Sequence, residues 1–248
     1  MKNVLLLALL SQFSVFAQLN VRDSSIKQLF AGLNYKFNLT GGDMAERWGF
    51  NHEIGLDVQY KFKNNVTFGI DGGFIFGNEL KDTVIFKDVF NSYGSITSMA
   101  GTPASVLFLM RGAHANLGVG YIFNKLGNNP NSGLWINAGV GYFMHKIRIE
   151  SIYDAVPQLE GDYRKGYDHL TMGFSTKQFV GYLFQHNERF LNFYVGFEFI
   201  QGYTYNVRNY NFDIEGPDPG LKIDFMYSAK VGWMIPMYKR QPKAVYYD

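Results

Sequence analysis

The 248-residue chain contains no cysteine. That excludes a disulfide framework, cysteine-held zinc or iron–sulfur centres, and a lipid-anchoring cysteine. Charge is also sparse and nearly balanced, with 23 Lys and Arg against 21 Asp and Glu and no basic block. Nucleic acid is therefore not a predicted partner, because phosphate-backbone binding needs concentrated positive charge. No apolar run approaches the roughly 18 residues of a membrane-spanning helix. The five histidines, His52, His114, His145, His169 and His186, show no metal-ligand spacing, and no Gly-x-Ser-x-Gly elbow occurs. No catalytic residue, metal or cofactor is predicted, so the chain reads as a non-enzyme. What it has instead is 23 Phe, 17 Tyr, 3 Trp and 27 Gly, a composition suited to β structure.

The first residues carry one cation at Lys2, an apolar stretch from Val4 to Leu10, and Val15 and Ala17 ahead of Gln18. That order predicts a secretory signal peptide over 1–17, leading to an export compartment. A short periplasmic segment is expected over 18–27, a membrane barrel over 28–238, and a basic, aromatic periplasmic tail over 239–248.

From Gln28 onward the hydrophobic period is two, in eight stretches. In the second, Ile54, Leu56, Val58, Tyr60 and Phe62 alternate with Glu53, Gly55, Asp57, Gln59 and Lys61. In the seventh, Leu191, Phe193, Val195, Phe197 and Phe199 alternate with Asn192, Tyr194, Gly196 and Glu198. Thr176 and Gln178 interrupt the apolar face of the sixth. Eight strands close around an interior just wide enough for side chains, and the apolar face carries about five large residues per strand, too many to fit inside. That face must point outward, into lipid. The fold class is accordingly all-β, an antiparallel up-and-down transmembrane β-barrel of eight strands. A ten-stranded barrel is the alternative if the 78–105 connection forms its own hairpin.

Tyr60, Tyr121, Tyr182 and Trp233 fall on the apolar face near short turns and predict an aromatic belt at one membrane interface. Short turns after Phe62, Phe123 and Phe184 alternate with long connections over 40–50, 78–105, 151–169 and 206–220, as in outer-membrane barrels. Lys36, Lys61, Lys177, Lys222 and Lys230 share the inward face with Glu53, Asp57, Asp71, Glu198 and Asp224. Buried charges must pair, so these ten residues predict an ion-paired network filling the lumen. Among the loops, Tyr153, Tyr163, Arg164, Lys165 and Tyr167 are the candidates for polysaccharide, lipopolysaccharide or protein contact. Solvated loops without a ligand are the blander alternative.

In the last stretch, Lys230, Gly232, Ile235 and Met237 resemble the assembly signal of outer-membrane β-barrel proteins. The resemblance implies insertion by the barrel assembly machinery, although that family usually ends on a terminal Phe, whereas ten residues follow Tyr238 here. The stretches 166–170, 193–202, 210–213 and 232–240 are similar to a group of uncharacterised small barrels of type IX-secreting bacteria, which implies no activity. The predicted role is structural, anchoring or surface recognition in the outer membrane, with an accessory place beside a secretion or envelope complex as one form of it. Lipid is the expected surroundings, and the C-terminal tail the expected contact to a periplasmic partner. A small channel and a barrel enzyme acting on lipid or peptide are the alternatives.

Overall fold

The computed structural model describes residues 24–153, 155–186 and 191–237; the expected signal peptide and C-terminal tail lie outside them. The strands are β1 (Gln28–Gly42), β2 (Asn51–Lys61), β3 (Val66–Gly77), β4 (Ile96–Thr97), β5 (Pro103–Ala104), β6 (Val106–Phe123), β7 (Gly133–Ser151), β8 (Thr171–Phe184), β9 (Phe193–Asn206) and β10 (Leu221–Met237). Eight of these close into one antiparallel barrel in the order β1-β10-β9-β8-β7-β6-β3-β2. The 78–105 connection does form a hairpin, β4–β5, but it stays outside the barrel sheet. The barrel is eight-stranded, not ten-stranded.

Side-chain alternation sets the two faces. Leu33, Leu56, Phe68, Leu117, Val140, Val195 and Phe197 are exposed on the outer wall, while Asn34, Asp57, Asn116 and Glu198 are buried within. A one-residue slip in any strand would exchange these sets. On one rim the Phe62–Val66 hairpin closes with Phe62 N–H donating to the Val66 carbonyl at 2.8 Å. Asn65 takes the left-handed φ of 65° there, a conformation that Asn tolerates better than most residues.

Tyr60, Tyr121, Tyr182 and Trp233 lie on the outer face towards this rim. Tyr60 and Tyr121 each meet a Phe edge-on, Phe62 and Phe123, at 4.8 Å. A second outward aromatic group, which the alternation had not singled out, lies at the opposite end of β1 and β2. There the Tyr35 hydroxyl hydrogen-bonds His52 Nδ1 at 2.6 Å, and Phe37 stacks on Phe50.

β6 and β7 run for 18 and 19 residues, well beyond the roughly 9–11 that cross a bilayer. Their extensions on the long-loop side were not legible as strands because the outward positions change from apolar to charged: Arg111, Lys146, Arg148 and Glu150. The backbone ladder continues regardless, pairing Arg111 with Lys146 and Leu109 with Arg148.

The interior is layered. Near the short turns, Phe30, Ile122, Trp135, Phe179, Leu183, Tyr194 and Met234 form an apolar floor. At the other end, Met44 and Trp48 from the first connection, Ile85, Phe86, Val89 and Ile96 from the second, and Val156, Leu159 and Tyr167 from the third fold inward. They pack on strand residues Ile75, Met110, Phe143, Ile147, Ile149, Ile200 and Met226. The inner side chains of these connections thus form a capped mouth, while Tyr93 and Tyr153 on them remain exposed. Between floor and cap lies a polar layer.

Leu117 sits mid-wall on the outer face and is 53% exposed. Leu117→Arg should cost about 2–4 kcal/mol of folding free energy in a lipid bilayer. Val84→Arg, on an exposed connection, should cost near zero. Denaturant titration of both variants folded into vesicles checks the difference.

Candidate functional site

The middle layer brings distant strands together. Lys36 Nζ pairs with Glu53 Oε1 at 2.8 Å and also contacts Glu198. Lys230 Nζ lies 3.0 Å from Glu198 and 3.1 Å from Asp57, and Lys177 pairs with Asp71. His114 Nε2 is 2.8 Å from Glu53, while its Nδ1 meets Asn116, which accepts from Ser175. Asp57 also accepts from Asn34 at 2.6 Å and from the Tyr194 hydroxyl. The Lys230 ammonium sits 5.5 Å from both the Phe179 and Tyr194 ring centres, joining the charge layer to the apolar floor.

Three residues of the expected network lie elsewhere. Lys61 Nζ donates to Ser25 Oγ, the Ile26 carbonyl and Asn131, tying the segment before β1 to the short-turn rim. Asp224 accepts from His145 at 3.0 Å and Thr204 at 2.6 Å, nearer the cap. Lys222 pairs with Asp218 at 2.8 Å and is part-exposed at the mouth. Inward parity alone cannot assign height along the barrel axis, which is why these three were grouped with the rest.

Asp71, His114 and Glu198 bring potential metal-ligand atoms within 4.8 Å of one another. Both carboxylates, however, already bind lysine ammonium groups. A cation at this point would have to displace or repel Lys36, Lys177 and Lys230. The donor set therefore fits a paired structural layer better than a metal centre.

Above the barrel, one polar network locks the connections. Arg47, in the short helix α1 (Asp43–Arg47), reaches His169 Nδ1 at 3.3 Å, and His169 Nε2 contacts Asp213 at 3.0 Å. With Arg47 donating to Nδ1, the imidazole donates from Nε2. Burial lowers the Arg47 pKa, opposed by the charges of Asp82 and Asp213. Burial alone would raise the Asp213 pKa, but the His169 hydrogen bond and the Arg47 charge hold it below its ordinary value. Beside them, Arg208 makes a two-pronged pair with Asp168.

The third and fourth long connections enclose a cleft of about 380 Å³ lined by Asp162, Tyr163, Lys165, Gly166, Val207, Arg208, Asn209, Tyr210 and Phe212. Gly166 is required there: a Cβ would lie 2.2 Å from the Phe212 ring. Phe212 in turn stacks with Tyr163 at 6.3 Å and meets Tyr210 edge-on at 5.5 Å. Lys165 pairs with Asp162 at 2.7 Å, a hydrogen bond that lowers the Asp162 pKa.

Of the five loop candidates, Tyr163 and Lys165 line this cleft. Tyr153 is 88% exposed but is not among its lining residues. Arg164 turns to a different groove on the outer wall. Tyr167 is a correction: it is buried, packed 4.7 Å from Phe212 and 5.8 Å from Phe86, and burial pushes its phenol pKa up. Its role is to hold the cap. Arg208, Tyr210 and Phe212 were missed because they reach the cleft from a connection about 40 residues further along, which no local spacing reveals.

No family model matches the chain, and no curated protein matches it. Among solved structures it is similar to the attachment invasion locus protein Ail of Yersinia pestis, at 9% identity and a TM-score of 0.44, covering 84% of this chain and 99% of that one. Neisserial surface protein A matches at 8% identity and 0.44, covering 84% and 96%. OprG of Pseudomonas aeruginosa matches at 8% and 0.39, covering 87% and 99%. The geometry stands without them: eight antiparallel strands closed edge to edge with an apolar outer wall make this chain a transmembrane β-barrel of the outer-membrane type.

Glu198 binds two lysines at once, so Glu198→Gln leaves uncompensated buried cations. It should destabilise the barrel by about 3–5 kcal/mol, measured as a lowered urea midpoint in lipid.

The Asp213 contribution to the cap is present above its ordinary pKa of 3.8 and is lost as pH falls through the lower folded value. Amide protection in the 207–220 connection, taken relative to the intrinsic exchange rate at each pH, should therefore fall below about pH 4, well before that of the barrel strands. Asp213→Asn should already show the lowered protection at neutral pH.

Proposed function

We propose that the protein is a closed outer-membrane barrel that presents a recognition cleft to the cell exterior, and that the cleft takes a polysaccharide. The observation carrying this reading is the cleft between the 152–170 and 207–220 connections. It places Tyr163, Tyr210 and Phe212 beside Lys165, Asp162, Arg208 and Asn209. Aromatic faces stack on the C–H side of a sugar ring while amides and charges hydrogen-bond its hydroxyls. The cap network gives that cleft a rigid base, since Arg208 is fixed by Asp168 and Phe212 N–H donates to the Gly166 carbonyl at 3.0 Å.

Closure of the lumen favours recognition over conduction. An apolar floor, a charge-paired layer and a cap of inward-folded connections succeed one another along the axis. Assembly by the barrel machinery fits the terminal strand, which carries Lys230, Gly232, Ile235 and Met237 and joins β1 to complete the ring.

Tyr163→Ala and Tyr210→Ala should each weaken binding of purified envelope polysaccharide about tenfold, while Tyr153→Ala, equally aromatic but outside the cleft, leaves it unchanged. Calorimetric titration of the folded protein checks this. Equal loss from all three, or from none, would remove the cleft from recognition.

A further inference from the structure

The outer wall carries a second feature that the recognition cleft does not use. Where β6 and β7 extend beyond the apolar band, Arg111 and Lys146 are direct cross-strand partners on the outward face. Arg148 lies one pleat further out, opposite Leu109, and Arg164 enters the same groove from the third connection. Like charges directly opposite each other in a sheet repel, so an outward Arg–Lys pair is unfavourable unless something anionic sits between them.

The protein itself supplies little. Glu150 pairs with Arg148, which nonetheless remains 54% exposed, and Asp168 at the groove's edge is occupied by Arg208. Among the described residues, Arg111 and Arg164 donate to the carbonyls of Met110 and Leu159. Among the described residues, no carboxylate comes within 4.0 Å of Arg111, Lys146 or Arg164.

Directly below the cations the wall is apolar. Phe74, Ala113 and Met144 are adjacent in register, followed by Met172 on β8. The small Ala113 between larger neighbours leaves a notch, and the whole groove has a volume of about 520 Å³. Cations above a lipid-facing notch, at the level where strands leave the bilayer, match an anionic head joined to acyl chains rather than a free ion.

We propose that this groove binds a phosphorylated, acylated lipid of the outer leaflet, with Arg111, Lys146, Arg148 and Arg164 on its phosphates and an acyl chain along Ala113. The proposal rests on the outer-membrane reading for the leaflet that would supply the lipid, but not on the polysaccharide cleft.

The test uses the full barrel folded in detergent and mixed with a bisphosphorylated lipid A, with the same lipid dephosphorylated, or with inorganic phosphate. Native mass spectrometry counts the retained molecules. The phosphorylated lipid should be retained preferentially, and inorganic phosphate should not displace it. Arg111→Gln and Lys146→Gln should each weaken retention about fivefold, the worth of one cation at an anionic lipid surface, and the double variant should multiply the two losses. Lys87→Gln, which removes a cation from an exposed connection outside the groove, should change nothing. Heat-modifiable gel mobility reports barrel folding separately. Should the folded double variant retain lipid as wild type does, or should both lipid forms bind equally, the site is refuted. Displacement by inorganic phosphate would also refute it, because it would mean that the acyl chain contributes nothing.

Discussion

The barrel depends on pairing charges around and across a narrow bore. On the wall, like faces like: Lys36 is opposite Lys230 at the seam where β1 meets β10, and Asp57 is opposite Asp71 between β2 and β3. Either juxtaposition alone would be repulsive. Both become tolerable because the counter-charges come from other strands, Glu198 of β9 reaching Lys36 and Lys230, and Lys177 of β8 reaching Asp71 across the ring. A sheet left open at the β1–β10 edge would separate Lys36 from Glu198. Lys36 would keep Glu53, its cross-strand partner on β2, but Asp57 would lose Lys230 as well, so closure completes the charge compensation. Buried ion pairs contribute little net stability compared with apolar packing, but they penalise the wrong register heavily.

Glycine has a related role beside the large inward side chains. A Cβ on Gly232 would lie 2.2 Å from the ring of Tyr194, its cross-strand partner, and one on Gly202 would meet Phe143 at 2.8 Å. The missing side chains let rings lie flat against the opposing backbone, so Tyr194 can reach Asp57 while also covering the apolar floor. An interior described only as small and polar would overlook this: the small residues are the recesses into which Phe143, Phe179 and Tyr194 fit.

The strand count, the lipid-facing side of each strand and the short-turn rim were legible because period-two alternation is a local property of the chain. Two kinds of information were not. Height along the axis depends on strand register and barrel stagger, so Lys61, Asp224 and Lys222 could be placed inward but not at their separate levels. The fate of the long connections depends on contacts between segments far apart in sequence. Tyr167 is the clear case: beside Arg164 and Lys165 it has the composition of an exposed binding loop, yet Phe86 and Phe212 cover it. The same limit hid Arg208 and Phe212, which join the cleft only when two connections meet.

The buried cap also determines where recognition can occur. With Trp48, Phe86, Ile96 and Leu159 turned into the mouth, the inner side of the connections seals the lumen, while Tyr93, Met99, Tyr153 and Tyr163 stay exposed on their outer side. With lumen and mouth packed among the described residues, the two surfaces proposed for ligands lie above, at the cleft between the third and fourth connections, and sideways, where β6 and β7 extend past the apolar band. The same filling ties the wall together, since Glu198 of β9 reaches Lys36 of β1 and Lys230 of β10, Lys177 of β8 reaches Asp71 of β3, and Tyr194 of β9 reaches Asp57 of β2. On the reading proposed above, specificity is located on the outer surface, positioned by the packed interior.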